Sequence, residues 1–419
     1  MRNAMPTSAP TAVVVDGYYN AASLPPAFAR RGFSVVHVQS TPEPIPSWTP
    51  PDLSVYRENI VHTDDASTVR RLKEYDPVCV IAGQEPGVPL ADRLSETLGL
   101  PTNGTRLSGA RRDKYAMAEA LRAAGLCCAD QFRSGRADEI VAWVRARGSY
   151  PVVLKPLRSC NTDGVTVCAT ADEVRRAAEQ VLTSRDAFGA PNTEVLVQSY
   201  LDGDEYIVDT VSRDGEHFVS SVWKYEKTLV DGRNLYDKDI LVPPGDAPAP
   251  QLMAYVRQAL DALGIRHGPA HSEVKMTSRG PALVETGARL SGGMLPEVHD
   301  LCLGQNQADL TVLAHTDPGE FRRRYAGRSY RPRQAAMGYT VATTADGVVR
   351  AVDEEVVARI GALPTVRRTV LNLAPGQRIR PTVDLATCTM RVHLTGPTQE
   401  AVLADYARVR ALKDRVYVL

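Results

Sequence analysis

The sequence predicts a multidomain chain of mixed fold class, with an α/β unit first and α+β units after it. Short β-rich runs alternate with segments of helical length from about residue 12 to residue 108, which is the pattern of a parallel α/β sheet. From Glu194, strand-like runs follow one another and only one predicted helix interrupts them before the C-terminal tail, which is consistent with the α+β class. The 419 residues suffice for roughly two to four domains.

Residues 1–108 are predicted to form a Rossmann-like domain. Its strands are expected at Ala12–Asp16, Phe33–Val38 and Val78–Ala82, and its helices at 21–31, 65–75 and 88–98. No G-x-G-x-x-G motif follows the first strand, and G-x-x-x-x-G-K-[S/T] is absent from the sequence. Dinucleotide redox chemistry and P-loop hydrolysis therefore both lose support.

Changes in the pattern place three further domains, at residues 109–192, 193–325 and 326–419. The first combines helices at Asp113–Ala124 and Ala171–Leu182 with a strand at Pro151–Lys155. The next contains predicted strands at Glu194–Gln198, Glu205–Ser212, His217–Tyr225, Gly268–Thr277 and Pro281–Thr286. The last is expected to be a mixed α/β lobe that ends in a helix at Thr398–Leu412.

The charge balance and the cysteine pattern exclude several classes of function. Lys plus Arg and Asp plus Glu each number 49 and are interspersed, so no nucleic-acid partner is expected. The seven cysteines form no C-x-x-C pair and are expected to be reduced. The first twelve residues lack the apolar run of a signal peptide, and no run approaches the roughly 18 apolar residues of a membrane span. We expect a cytoplasmic protein without a membrane partner.

A predicted hairpin in the second half of the chain carries the most informative residues. His271, Glu273 and Lys275 share one face of its first strand, because side chains alternate along a strand. A three-residue turn at Ser278–Gly280 would place Glu273 directly opposite Glu285. Like charges so placed destabilise a hairpin, and a cation such as Mg²⁺, with its oxygen ligands, would offset the repulsion. A surface hairpin whose glutamates splay into water is the alternative.

The residues after this hairpin suit an anionic group. Arg289 keeps the strand parity of Glu285, so it would reach an anion that shares the site. Gly292 and Gly293 follow and permit close backbone approach.

Two of the eight lysines stand in settings that suit phosphate binding. Lys155 ends an apolar strand and precedes a loop of small residues, Ser159 to Gly164, whose N–H and hydroxyl groups can wrap phosphate oxygens. Lys114 opens a helix. Exposure of both side chains is the alternative, because lysines commonly extend their charge into water.

The segment from Gln198 to Glu205 is predicted to bend between two strands. Free backbone groups at a bend can hydrogen-bond an adenine edge, and a carboxylate can accept from ribose hydroxyls; an ordinary hairpin is the alternative. Glu85 is a candidate for binding an α-amino group, and Trp223 and Tyr236 are candidates for a side-chain pocket. Packing would account equally for these three.

The ordered set of motifs resembles the ATP-grasp superfamily, and within it the bacterial L-amino-acid ligases, which include the bacilysin, dapdiamide and carnosine synthases. The set comprises Arg112-Asp113-Lys114, Val153-Leu154-Lys155-Pro156 with its loop, Gln198 to Glu205, His271-x-Glu273 and Glu285-x-x-x-Arg289. The resemblance covers nearly the whole chain. It implies an ATP-grasp fold with a pre-ATP-grasp domain at 1–108 and a C-terminal lobe.

The resemblance assigns ATP binding to a group of positions in the middle of the chain. These are Lys114, Lys155, Ser159, Thr162, Gly164, Gln198, Ser199, Leu201 and Glu205. The two lysines would meet the phosphates, and the 159–164 loop would fold over them, with the Trp223–Arg233 segment as a second candidate lid. The 198–201 segment would line the adenine through its backbone, and Glu205 would hold the ribose.

The resemblance also implies a metal site and a catalytic group. Glu273 and Glu285 would hold one or two Mg²⁺ ions, with Mn²⁺ as a substitute. Arg289 would steady the transferred phosphate, and His271 would orient or protonate the reacting carboxylate, with Lys155 beside them. The candidates for substrate contacts are Glu85, Trp223, Tyr236, Gly292 and Gly293.

The implied activity is ATP-dependent amide formation between an amino acid carboxylate and an amine, through an acyl phosphate and with release of ADP and phosphate. The amine would be a second amino acid, or alternatively a carrier protein or a specialised-metabolite amine; the family resemblance also implies a homodimer. A non-catalytic nucleotide-binding scaffold is the alternative from another class. Two positions depart from the family: Gly287 stands where the third metal ligand is usually asparagine, and Cys160-Asn161 where many relatives have Ala-Gly.

Overall fold

The computed structural model describes residues 9–45, 48–158, 164–186, 189–230 and 233–419, and the chain begins with a four-stranded parallel sheet. The strand order is β3-β2-β1-β4, which confirms the predicted α/β unit. Its elements are β1 (Thr11–Val15), α1 (Leu24–Ala29), β2 (Ser34–Gln39), β3 (Glu58–Val61), α2 (Asp65–Lys73), β4 (Pro77–Ala82) and α3 (Val88–Thr97). Strand β3 escaped prediction because Ile60 is its one buried residue, so its apolar pattern is weak.

A second unit is built around an antiparallel sheet of order β5-β8-β6-β7. Its elements are α4 (Lys114–Ala123), β5 (Gln131–Ser134), α5 (Ala137–Arg147), β6 (Val152–Pro156), β7 (Thr166–Cys168), α6 (Ala171–Thr183) and β8 (Val195–Ser199). Helices α5 and α6 pack on this sheet around a core that includes Ile140, Val144 and Val174. Helix α6 begins with a capping box in which Thr170 and Glu173 satisfy each other's backbone N–H groups.

The rest of the chain is organised by one eight-stranded sheet of order β13-β12-β9-β10-β11-β14-β19-β17. Its first five strands and the helices among them are β9 (Asp204–Arg213), β10 (Glu216–Val230), β11 (Arg233–Leu241), α7 (Ala249–Ala262), β12 (Gly268–Thr277), β13 (Gly280–Gly287), α8 (Pro296–Leu303), α9 (Gln307–Thr316) and α10 (Pro318–Tyr325). Strands before and after residue 325 therefore hydrogen-bond in one sheet.

The C-terminal part extends this sheet and adds two small ladders, β15 with β18 and β16 with β20. Its elements are β14 (Ala335–Val341), β15 (Gly347–Val348), β16 (Ala351–Val352), α11 (Glu354–Gly361), β17 (Val366–Leu371), β18 (Arg378–Ile379), β19 (Met390–Gly396), α12 (Gln399–Leu412) and β20 (Tyr417–Val418). Helices α11 and α12 cover a core under β14, β17 and β19. Within the described ranges, no helix is both long and apolar enough to cross a membrane.

The β12–β13 hairpin places Glu273 opposite Glu285, but by a different route from the one predicted. The strands end at Thr277 and begin again at Gly280, so the loop has two residues and the predicted three-residue turn is wrong. A bulge between Glu273 and Val274 shifts the register by one residue and restores the predicted pairing. Gly280 adopts φ +103°, a conformation that side chains disfavour.

A long hairpin of β10 and β11 forms the middle of the large sheet. Strand β10 was expected to end at Tyr225 but continues to Val230, and β11 was not predicted. The Trp223–Arg233 segment, a candidate lid, is therefore paired strand outside residues 231 and 232, which are not among the described residues.

A buried ion pair joins the first unit to the rest of the molecule. Arg111 Nη2 lies 2.9 Å from Asp92 Oδ2, and the two side chains are 0% and 7% exposed. Arg111 also donates to the carbonyls of Gly104 and Leu263, and Ser108 donates to Asp92. Because α3 and the end of α7 both meet this guanidinium, it fixes how these elements pack.

We expect Asp92→Ala to destabilise the protein by about 3–5 kcal/mol, because it leaves a buried guanidinium without its counter-charge. Urea unfolding followed by circular dichroism measures the effect. Asp138→Ala is the matched control: it breaks the exposed ion pair with Arg175, and such pairs contribute little. Equal midpoints for the two variants would contradict the assigned role.

Candidate active site

Two glutamates converge where β12 and β13 pair. Glu273 and Glu285 are directly opposite, and their side chains are 19% and 20% exposed. Burial raises the pKa of Glu273, the charges of Glu285 and Glu205 raise it further, and a hydrogen bond from His271 opposes the rise. Lys114 Nζ lies 2.7 Å from Glu285 Oε2, and its positive charge offsets part of the repulsion between the two glutamates.

Two lysines from different elements reach this carboxylate pair. Lys114 is the first residue of α4, and its backbone N–H donates to the carbonyl of Leu157, just beyond β6 (3.1 Å). Lys155 lies on β6 and is 5% exposed. Burial and the nearby charge of Lys114 lower the pKa of Lys155 to about 8, although Glu285 opposes the shift. Burial disfavours the charge of Lys114 too, but Glu285 and Glu85 raise its pKa above the ordinary value.

Glu205, the predicted ribose ligand, is buried at the start of β9. It accepts a hydrogen bond from Tyr236 Oη at 2.8 Å and forms an ion pair with Lys227 Nζ at 2.9 Å. Lys227 Nζ also lies 4.4 Å from the centroid of the Tyr236 ring. The structure thus brings Tyr236, a candidate for a substrate pocket, to the residue expected at the nucleotide.

The predicted adenine segment lies at the end of β8. Gln198 Nε2 donates to Gln131 Oε1 at 3.1 Å. The N–H of Ser199 donates to the carbonyl of Asp130 at 2.8 Å, and its hydroxyl accepts from the N–H of Asp130 at 3.0 Å. These groups of Ser199 are therefore already used by the sheet, whereas Leu201 follows the end of the strand.

Of the predicted phosphate loop at residues 159–164, only the end belongs to the described residues. Ser159 and Thr162 lie outside the described residues. Gly164 adopts φ +66°, and a Cβ there would lie 2.9 Å from the Pro156 ring. Only glycine meets both conditions, so this end of the loop can return close to β6.

Glu85 forms a second charged group with two arginines. Its Oε1 lies 2.7 Å from Arg289 Nη2, and its Oε2 lies 2.8 Å from Arg112 Nη1. Burial would raise the pKa of Glu85, but Arg289, Arg112 and Lys114 hold it well below its usual value. A Cβ at Gly287 would lie 3.3 Å from Arg289 Nε and from Glu85 Oε1, so the missing asparagine side chain would crowd this pair.

His271 lies between two carboxylates. Its Nδ1 is 2.8 Å from Asp209 Oδ1, and its Nε2 is 3.6 Å from Glu273 Oε1. Burial disfavours the imidazolium, but hydrogen bonds with Asp209 and Glu273 raise the pKa of His271 to about 9. A charged His271 is therefore available at neutral pH to pair with a substrate anion or donate a proton.

The remaining substrate candidates occupy different settings. Trp223 is 5% exposed, belongs to the main core and packs against His299 with ring centroids 5.4 Å apart. It is therefore a core residue in this structure. The carbonyl of Gly292 accepts a hydrogen bond from Asn20 at 2.7 Å, and a Cβ at Gly293 would lie 3.2 Å from Arg391 Nη2.

Sequence reasoning missed the contributions of Asp209 and Arg112. Asp209 interrupts the apolar strand β9 and is buried, and a buried acid needs a partner. An acidic residue inside an apolar strand indicates that some partner exists, but the sequence did not show that the partner is His271. Arg112 belongs to the Arg112-Asp113-Lys114 motif, but its contact with Glu85 joins residues 27 positions apart, which no local pattern predicts.

The donor set suits Mg²⁺ held together with a phosphorylated ligand. In the parts of the chain that the structure describes, no group of three or more His, Cys, Asp and Glu side chains could hold a metal. Mg²⁺ usually binds one or two protein carboxylates and completes its shell with phosphate oxygens and water. Facing glutamates beside two lysines meet this requirement.

Comparison with known proteins places this geometry in a family. Residues 148–297 match the ATP-grasp domain. Dapdiamide A synthase of Enterobacter agglomerans is 35% identical over 381 residues, which cover 89% of this chain and 88% of that protein.

Solved structures share the fold over nearly the whole length. An L-amino acid ligase from Bacillus licheniformis superposes with a TM-score of 0.76 at 20% identity, covering 98% of this chain and 99% of that one. The biotin carboxylase domain of a 2-oxoglutarate carboxylase from Hydrogenobacter thermophilus, solved with MgADP, superposes with a TM-score of 0.67 at 15% identity, covering 98% and 91%. The chain belongs to the ATP-grasp superfamily, in its group of L-amino-acid ligases.

Proposed function

We propose that the protein is an ATP-dependent ligase that joins the carboxylate of one amino acid to the amine of a second through an acyl phosphate. The convergence of Lys114 and Lys155 on facing glutamates carries the proposal, because it gathers cations for phosphates beside carboxylates for a metal. The names of two similar proteins, a dapdiamide A synthase and an L-amino acid ligase from Bacillus licheniformis, support the same chemistry here.

In this proposal ATP lies between residues 109–192 and 193–325. Lys114 and Lys155 bind its phosphates, and Glu205 accepts from the ribose. Glu273 and Glu285 hold Mg²⁺, which when bound neutralises phosphate charge and polarises the transferred group.

The first step is attack of a carboxylate oxygen on the γ-phosphorus, with ADP as the leaving group. Arg289 and charged His271 stabilise negative charge on the reacting groups, because cations fixed in a shielded site need no reorganisation. In the second step the amine nitrogen attacks the acyl carbon, a C–N bond forms, and phosphate departs with the C–O electron pair while the nitrogen loses a proton.

Incubation with MgATP and pairs of proteinogenic amino acids should release ADP and phosphate, with a dipeptide mass as product. We expect sustained ADP release only when both amino acids are present, because a site that excludes water keeps the acyl phosphate from hydrolysing until the amine reacts with it. AMP and pyrophosphate as the nucleotide products would contradict the acyl-phosphate route.

Glu285→Gln should lower turnover by more than the roughly 100-fold that changes around a metal ligand cost, because it removes a ligand charge and the partner of Lys114. Steady-state ADP release measures it. Glu216→Gln, at an exposed position at the start of β10, is the control and should keep wild-type rates. Wild-type turnover by Glu285→Gln would reject the metal assignment.

Binding of a non-hydrolysable ATP analogue should weaken as pH rises through about 8. The pKa of Lys155 is lowered to about 8, so its ammonium loses a proton in a range where an ordinary lysine stays charged, and the neutral amine attracts phosphate less. The dissociation constant between pH 7 and pH 9.5 measures the effect. Lys155→Arg stays charged throughout and should flatten the dependence; the same slope in both proteins would assign it to another group.

A further inference from the structure

A second ion pair lies on the face of the large sheet that carries the metal-site glutamates. Arg391 Nη2 is 2.7 Å from Asp239 Oδ1, and the arginine side chain is 25% exposed. Within the described residues Asp239 is the one hydrogen-bond partner of Arg391, and Arg391 Nε is buried without a partner. A guanidinium carries five N–H donors, so this one keeps donors for a further anion.

Two glycines, Gly338 and Gly293, lie against this guanidinium. Arg391 reaches Asp239 by passing over Gly338 of the intervening strand β14, where a Cβ would lie 2.7 Å from Asp239 Oδ2 and 2.9 Å from Arg391 Nη2. On another side is Gly293, at which a Cβ would lie 3.2 Å from Arg391 Nη2. With glycine at both positions no Cβ crowds the guanidinium, whose charged and titratable neighbours include Asp239, Tyr225 and Cys388.

Tyr225 connects this ion pair to the metal site. It pairs with Glu205 on β9 and with Asp239 on β11. Burial raises the pKa of Tyr225 well above its ordinary value, Glu273 and Asp239 raise it further, and Arg391 opposes them. The phenol therefore lies close enough to Glu273 and to Arg391 for the charge of each to change its pKa.

The two arginine groups lie on opposite sides of the metal site. Arg289 and Glu85 lie beside Gly287 on the edge strand β13. Asp239 lies on β11, three strands beyond β12, and Arg391 reaches it from β19. At about 4.8 Å per strand that separation is roughly 14 Å, part of which the side chains span.

We infer that Arg391 binds the carboxylate of the amine substrate, so that the acceptor is a free amino acid and neither a simple amine nor a carrier protein. The inference rests on the ligase activity proposed above. A carboxylate held at Arg391 directs the amino group of the same molecule towards the acyl carbon. The amino group attacks as the neutral amine, the C–N bond forms there, and phosphate leaves with the electron pair of the C–O bond. The nitrogen then loses a proton to solvent or phosphate.

The test separates the two half-reactions with hydroxylamine, an acceptor that has no carboxylate. Hydroxylamine converts an acyl phosphate to a hydroxamate, which is measured by its iron complex. In Arg391→Gln, hydroxamate formation should stay within about twofold of wild type. The Michaelis constant for the acceptor amino acid should rise roughly 10- to 100-fold, the effect of losing a hydrogen bond to a charged group.

Three companions sharpen the result. Wild type should prefer the acceptor amino acid to its carboxamide, and Arg391→Gln should not discriminate between them. Arg391→Lys should restore part of the preference because the charge remains. Arg408→Gln removes a 63% exposed arginine from the same lobe and should match wild type throughout.

The outcomes distinguish this inference from the proposed function. Absence of ADP release and hydroxamate in the wild type with every acid would overturn the ligase proposal itself. An active wild type with equal losses of hydroxamate and dipeptide in Arg391→Gln would give Arg391 a structural role and overturn the inference. If Arg391→Gln does not fold, the acid-to-carboxamide preference of Arg391→Lys decides, and an unchanged preference would overturn it.

Discussion

The electrostatics of two facing carboxylates constrain the candidate site. Glu273 and Glu285 stand opposite each other in a partly buried hairpin, where like charges repel strongly unless cations are close. The chain supplies those cations from elements remote in sequence, at the start of α4 and on β6. The contact between the Lys114 N–H and the Leu157 carbonyl joins the start of α4 to the end of β6, so the two lysines are carried by elements that touch each other.

Much of this arrangement was accessible from sequence because it depends on period and parity. Alternation on β12 placed His271 and Glu273 on one face, and apolar runs located most strands. The bulge that brings Glu273 into register was not accessible, since it cancels an error in the predicted turn length. Strand β11 was missed because three consecutive charged residues, Asp237, Lys238 and Asp239, interrupt its apolar pattern. Its backbone pairs on one side with β14 of the C-terminal lobe, which no local pattern shows. The pairing of Glu85 with Arg289 spans 204 positions, beyond any local pattern.

Gly287 lies where the proposed metal site meets the pair formed by Glu85 and Arg289. Relatives were expected to place a metal-binding asparagine there, and the space it would need is taken by the Glu85 and Arg289 side chains. Their pairing and a third protein ligand compete for the same volume. This competition gives a physical reason for glycine at 287. A metal bound at the proposed site would complete its shell with oxygen atoms from outside the protein.

In the proposed site, the ion pair between Lys114 and Glu285 would couple metal binding to phosphate binding. A metal that binds Glu285 would remove the nearer of the two carboxylates that favour the charge of Lys114, the other being Glu85. A polyphosphate that binds Lys114 would remove the ion-pair partner of Glu285. Each event alone is costly because one buried charge loses its partner. When the metal and the polyphosphate bind together, Glu285 exchanges Lys114 for the metal and Lys114 exchanges Glu285 for a phosphate, so both charges stay neutralised. The proposed site would therefore favour the metal–nucleotide complex over either component alone, because the same contact links the two binding events.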